Sequence, residues 1–298
     1  RPQTLFASLV PVLVALLCVS QSMTIDTLTA VITAVCALSL QILSNLINDY
    51  YDYVRGTDKA GRAGFKRALA EGEVSKAAMR NACLIAAGIA CLLGLYLIYI
   101  GTWVILAIGL SALLFAWLYT ATSHSLSYLG IADIFVFLYY GVIASCGTAY
   151  LQFANASRYF MCVTFPDLAD KPIMEVFYTG GIHSPLMQTF FAGGVCGLIS
   201  MCVLLINNLR DIDSDRAVGK KTLPVRFGKH AGEGLMLCVV LLMPAFAYLA
   251  FGWSPSMIIV IPAFALWLKG LKAKGAVYNK CLLGAGLMNL LYFVLCLL

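Results

Sequence analysis

Two short runs of carboxylates and carboxamides carry the chemistry of this sequence: Asn45-Leu-Ile-Asn48-Asp49-Tyr-Tyr-Asp52 and Asn207-Asn208-Leu-Arg210-Asp211-Ile-Asp213-Ser-Asp215. On a helix, residues three, four or seven apart share a face, so Asn45, Asn48, Asp49 and Asp52 form one polar stripe, and Asn207, Asp211 and Asp215 form another. Clustered carboxylates repel one another, and at a helix C-terminus they also face the negative end of the helix dipole, so each stripe calls for a cation. Their oxygens are hard ligands of the kind Mg²⁺ takes, and Mg²⁺ completes its shell with water and substrate phosphate. Basic residues follow each stripe: Arg55, Lys59, Lys66 and Arg67 after the first, Lys220, Lys221 and Arg226 after the second, with Arg210 inside it. Acids that hold a metal, beside cations that hold phosphate oxygens, make a mixed site suited to a diphosphate.

The elements that position these residues are membrane spans. The chain has 298 residues, of which 61% are hydrophobic and 11% charged, against about 25% charged in an ordinary soluble domain. Apolar runs long enough to cross a bilayer recur along its whole length, which predicts an all-α, polytopic helical bundle of about nine spans: 5 to 20, 27 to 48, 78 to 100, 103 to 121, 131 to 152, 186 to 206, 233 to 251, 256 to 268 and 281 to 298. The two acidic runs end the second and sixth spans and so share a face. With the N-terminus inside, the basic residues fall on that same face and leave only Arg158 and Lys171 outside, which predicts cytoplasmic motif loops at about 49–77 and 207–232. An outer loop is expected at about 153–185, with a glycosylation sequon at Asn155-Ala-Ser157. The whole reads as one domain over 1–298.

Other classes fit less well. A formal charge of +6 would suit nucleic acid only if it were gathered on a soluble face, and here it follows the membrane. The 11 cysteines lie mostly inside apolar runs and read as small core or lipid-phase residues. The start, Arg1-Pro2, has no A-x-A cleavage site after it, so the first apolar run reads as a span in a trimmed chain. A transporter would place charge near mid-bilayer, whereas the mid-span regions here lack it.

These motifs resemble the UbiA superfamily of intramembrane prenyltransferases, and more closely its menaquinone branch, which acts on 1,4-dihydroxy-2-naphthoate. The resemblance covers nearly the whole chain and rests on Gln41-Ile-Leu-Ser-Asn-Leu-Ile-Asn-Asp-Tyr50, Gly56-Thr-Asp58, Gly64-Phe-Lys-Arg67-Ala and Asn207 to Asp215 with Gly219-Lys-Lys-Thr-Leu. It implies a central cavity capped by cytoplasmic loops, in an inner (plasma) membrane protein that uses Mg²⁺, a polyprenyl diphosphate and an aromatic acid acceptor. Asn48, Asp49 and Asp52 would serve one metal site and Asn207, Asp211 and Asp215 the other, with Asp52, Asp211 and Asp215 catalytic. Arg67, Lys221, Arg210 and Lys66 would bind diphosphate, and Asp58, Asn45, Asn208 and Tyr119 stand as secondary candidates. After Tyr119-Thr120 the chain reads Ala121-Thr-Ser-His124-Ser, where relatives often carry a basic residue, and His124 itself reads as a solvated loop residue.

The implied reaction ionises an allylic diphosphate, and the electron-rich acceptor ring attacks the resulting cation with loss of CO2 in the menaquinone branch. Tyr50, Tyr51, Tyr53, Tyr119, Tyr139 and Tyr140 are the aromatic faces that would stabilise that cation, or else an interfacial belt. Other aromatic acceptors, 4-hydroxybenzoate or homogentisate, stay open, as do prenyl chain length and oligomeric state.

Overall fold

The computed structural model describes residues 2–56, 67–118, 126, 130–164, 181, 184–275 and 277–298. Its helices are α1 (Pro2–Ser20), α2 (Thr27–Val54), α3 (Lys76–Leu118), α4 (Ala132–Phe137), a π-helical turn (Leu138–Ile143) and α5 (Ala144–Thr164). They continue as α6 (Pro185–Arg210), α7 (Ile212–Ala217), α8 (Leu223–Phe227), α9 (Lys229–Phe251), a 3₁₀ turn (Pro255–Ile259), α10 (Val260–Leu271) and α11 (Val277–Leu297).

Six of these helical stretches are long and apolar enough to span a membrane, and two shorter apolar helices, Thr4–Ser20 and Pro255–Leu271, join them. The longest, α3, has 43 residues and would run about 65 Å at 1.5 Å per residue, twice a hydrocarbon core. It is divided at Thr102, whose φ of 56° and ψ of −148° no helix contains. Its two halves are the third and fourth expected spans. Among the described residues a helix therefore stands at each of the nine expected positions, and the bundle is polytopic and all-helical.

The middle of the bundle is α6. Of its most apolar stretch 78% is buried, against 22% for α3, which presents Leu84, Leu92, Leu95 and Leu110 outward as lipid-facing residues. Lipid tails give helices little hydrophobic reason to associate, so packing needs small residues that let backbones close in. Gly193 and Gly197 of α6 do this against Gly141 of the π turn: a Cβ on Gly141 would lie 2.8 Å from the Gly193 carbonyl oxygen, and one on Gly197 2.6 Å from that of Phe137. Helix α6 also packs on α1, α9 and α11, with Val195, Ile199 and Ile206 in the core they share.

Several buried hydroxyls within spans are satisfied by their own helix, which suits a bilayer that offers no water. The hydroxyls of Thr33, Ser39, Thr148 and Ser200 each donate to the carbonyl four residues before. At the end remote from the motifs, the Asp26 backbone N–H donates to Gln152 Oε1 at 2.8 Å, and Gln152 Nε2 donates to the Asp26 carbonyl at 3.2 Å, locking α2 to α5. The Asp26 carboxylate caps α2 by accepting from the Thr29 N–H.

Two boundaries differ from expectation. Helix α5 runs to Thr164, so Asn155 of the sequon lies in a helix rather than in a loop that begins at 153. Arg158 explains the extension: it stacks on the Tyr99 ring at 4.3 Å and donates to the Tyr99 carbonyl, so a charged residue is accommodated on the helix. The α2 helix likewise continues to Val54 and carries Asp49 and Asp52 on its last turns.

Candidate functional site

The first motif occupies the C-terminal end of α2. Asn45 Nδ2 donates to Thr4 Oγ1 of α1 at 2.9 Å, which fixes the stripe against the first helix. Asp49 is ion-paired to Arg67, and Asp52 is buried, 4% exposed. The helix ends at Arg55, and Gly56 (φ 71°) turns the chain away.

The second motif is not one continuous helix. Helix α6 ends at Arg210, Asp211 caps it with φ −101° and ψ 15°, and Asp215 sits on the short α7. Arg210 grips Asp211 in a bidentate pair, Nε to Oδ1 and Nη2 to Oδ2, both 2.7 Å, and its Nη1 donates to Asn279 Oδ1 of α11 at 3.0 Å. Asp213, off the stripe, is fully solvent-exposed along its side chain.

The two motifs meet. Lys220 places its Nζ 3.9 Å from Asp52 Oδ1 and 3.6 Å from Asp215 Oδ1, with the lysine side chain only 12% exposed. One ammonium thus bridges carboxylates that lie 163 positions apart in the chain. The backbone explains why: α7 closes in a Schellman motif, Lys220 N–H to the Asp215 carbonyl at 2.9 Å and Gly219 N–H to that of Arg216 at 3.2 Å, with Gly219 at φ 78°. That turn folds Lys220 back over the acid it pairs with.

Beneath this cluster a cavity of about 460 Å³ opens between α1, α2, both halves of α3, the π turn and α6. Asn48 and Asn207 line its polar end, and the rest of its wall is predominantly carbon. Along α2 the lining runs from Asn48 to Thr33, 15 residues or about 22 Å at the helical rise.

Among the described residues no three His, Cys, Asp or Glu side chains converge enough to hold an ion unaided. The donors fit Mg²⁺ nonetheless, since it takes one or two carboxylates and fills its shell with water and phosphate oxygens. Asp52 and Asp215 already share one cation in Lys220, and the amides of Asn48 and Asn207 add neutral oxygens nearby.

A model of the UbiA prenyltransferase family matches residues 8–274. The chain belongs to the UbiA prenyltransferase family. Similar relatives include the 1,4-dihydroxy-2-naphthoate octaprenyltransferase of Escherichia coli (strain K12), 30% identical over 247 residues that cover 81% of this chain and 71% of the relative. That of Bacillus subtilis (strain 168) is 29% identical over 259 residues, covering 87% and 72%. Among solved structures, the apo UbiA homolog from Aeropyrum pernix K1 superposes with a TM-score of 0.71 at 14% identity, over 100% of this chain and 99% of that one. A UbiA homolog from Archaeoglobus fulgidus bound to DMAPP and Mg²⁺ gives 0.59 at 15% identity, over 100% and 96%. At such identities the likeness is one of fold.

In this UbiA-family chain, the residues expected from sequence divide by place. Asp52, Asp215, Asp49, Asp211, Arg67 and Arg210 gather in ion pairs around the two motifs, and Asn45, Asn48 and Asn207 line the cavity below. Asn208 is buried, 9% exposed, and is not among the residues that line the cavity. Lys221 is exposed, while its neighbour Lys220 turns inward. Lys66, Asp58, Tyr119 and His124 lie outside the described residues. Of the tyrosines, Tyr139 and Tyr140 line the cavity from the π turn, whereas Tyr51 stacks with Arg55 at 5.9 Å and Tyr53 with Lys76 at 5.3 Å. Lys220 was among the cations expected after the second motif, but its place between the two motifs was not legible from spacing, and Gly219 was the signal for it.

Proposed function

We propose that this chain transfers a polyprenyl group from polyprenyl diphosphate to 1,4-dihydroxy-2-naphthoate, releasing diphosphate and CO2 and giving demethylmenaquinol. The observation that carries the reading is the convergence of both Asp-rich motifs on Lys220 at the mouth of a long apolar cavity. A diphosphate head fits the charged end and a polyprenyl tail the carbon-lined end. The naphthoate half rests on relatives of about 30% identity that bear that activity in their names.

The residues divide the work. Mg²⁺ bound by the motif oxygens supplies charge to the leaving diphosphate. Arg67 and Arg210 lie beside the acids they now pair with, so a diphosphate arriving there exchanges a carboxylate partner for phosphate oxygens. Lys220 adds a third cation at the junction of the motifs, and Lys221, Lys66 and Asp58 are proposed to act from the adjoining loops. The cavity wall excludes water, which would quench an allylic cation, and the rings of Tyr139 and Tyr140 offer it a π face.

The motif face is proposed to be cytoplasmic and the membrane the inner (plasma) membrane, from the basic residues concentrated there. Residues 1–298 are read as one transmembrane domain.

Incubating the purified protein with Mg²⁺, dihydroxynaphthoate and a labelled prenyl diphosphate tests the reaction by product mass. A decarboxylated prenyl naphthoquinol is expected. Prenylation of 4-hydroxybenzoate or homogentisate in its place would reassign the acceptor.

A further inference from the structure

The cavity wall has one polar side chain that the donor substrate does not explain. Gln41 lies on the same face of α2 as Asn45 and Asn48, seven residues before Asn48 and so about 10 Å deeper along the helix. It lines the cavity, is 5% exposed, and its Oε1 is fully buried without a hydrogen-bond partner among the described residues.

The other buried polar groups of this wall are satisfied. Ser8, Thr33, Thr148 and Ser200 donate to carbonyls of their own helices, and Asn45 donates to Thr4. A buried carbonyl oxygen left unpaired is costly, and a polyprenyl tail passing it has neither donor nor acceptor to offer. The other substrate has polar groups to offer it, at the depth where an aromatic ring would meet the first carbons of the prenyl chain.

We propose that Gln41 is the anchor of the aromatic acceptor, its carbonyl accepting from a ring hydroxyl and its N–H₂ donating to a neighbouring carboxylate. A carboxamide presents acceptor and donor side by side, so it matches a hydroxyl and a carboxylate on adjacent ring carbons. Dihydroxynaphthoate has that arrangement, whereas 4-hydroxybenzoate holds the two groups on opposite sides of its ring. Gln41 is thus a specificity-determining residue, and this rests on the acceptor assignment made above.

The test compares the wild-type chain with Gln41→Met, a substitution of similar length that removes both hydrogen-bonding functions, in steady-state assays with Mg²⁺ and a short prenyl diphosphate. The expected result is an acceptor KM raised by about tenfold to a hundredfold, the loss of one or two hydrogen bonds, with the KM for prenyl diphosphate unchanged. Inhibition by the 1-O-methyl ether of dihydroxynaphthoate supplies a readout that a merely structural role would not move. The wild type should bind the ether more weakly than the free hydroxyl compound, and Gln41→Met should bind the two alike. An unchanged acceptor KM, a persisting preference for the free hydroxyl, or a parallel rise in both substrate KM values overturns the proposal. If the wild-type chain forms no prenylated naphthoquinol, the acceptor assignment fails and this inference with it; product formation indifferent to Gln41 sinks the inference alone.

Discussion

Lys220→Met removes a direct link between the two motifs, and its effect can be worked from distance and burial. The ammonium stands 3.9 Å from Asp52 and 3.6 Å from Asp215, side chains that are 6% and 7% exposed. At an effective dielectric of about 20, each pair is worth about 4 kcal/mol of gross attraction. Much of that is offset by the desolvation of three charges, and breaking a buried pair from one side costs a net ~3–5 kcal/mol because a buried charge loses a partner. Here two carboxylates would be left facing one another. The variant should therefore unfold at a clearly lower temperature in detergent without divalent metal. A cation able to take the place of the ammonium then recovers stability by mass action, about 2.7 kcal/mol when present at 100 times its dissociation constant. Thermal unfolding of both proteins with and without Mg²⁺ is the assay, and Mg²⁺ should raise the midpoint of Lys220→Met more than that of the wild type, whose own ammonium must be expelled first. A variant as stable as wild type without metal, and indifferent to Mg²⁺, would refute the idea that Asp52 and Asp215 form one shared cation site.

Other consequences are simpler to state. Arg67→Ala removes the cation paired with Asp49 and should raise the KM for prenyl diphosphate about tenfold or more, and Arg67→Lys should recover only part of this because an ammonium lacks the bidentate fork. Thr102→Gly should raise the thermal midpoint, since a β-branched residue at φ 56° and ψ −148° carries about 1–3 kcal/mol of strain that glycine does not. Gly197→Ala should lower the yield of folded protein, because its methyl would lie 2.6 Å from the Phe137 carbonyl oxygen, a backbone atom that cannot swing aside; overpacking of this kind costs about 1–3 kcal/mol. Chelation by EDTA should abolish turnover, with Mg²⁺ restoring it and Ca²⁺, which prefers more ligands at longer range, restoring much less.

Much of this was legible in the residues themselves. The spans declare themselves because hydropathy is a sum over about 20 residues, and the motifs because Asn and Asp at helical spacing are conspicuous at the ends of apolar runs. What spacing does not encode is where a turn sends its side chains. Lys220 and Lys221 are neighbours of identical type, and only the Schellman turn at Gly219 decides that the first faces the acids and the second faces out. The helix break at Asp211 was likewise hidden, since Asp211 and Asp215 fall four apart whether or not the helix is continuous. Arg158 concealed the true length of α5, because a charge that finds a tyrosine ring and a carbonyl does not end a helix. Gln41 belonged to a recognisable motif, yet the burial of its Oε1 without a partner among the described residues, in a carbon-lined wall, depends on helices α1, α3 and α6 closing around it.

The central claim is that the two Asp-rich motifs act as a single diphosphate site, and it is tested most directly by turnover of Asp52→Ala and Asp211→Ala, one from each motif, in parallel with the wild-type chain. Both variants should insert and purify as helical membrane proteins and should lose prenyl transfer by about 10²-fold or more, as expected when charge aimed at a developing anion is removed. Wild-type turnover in either variant would contradict the claim that both motifs serve the reaction.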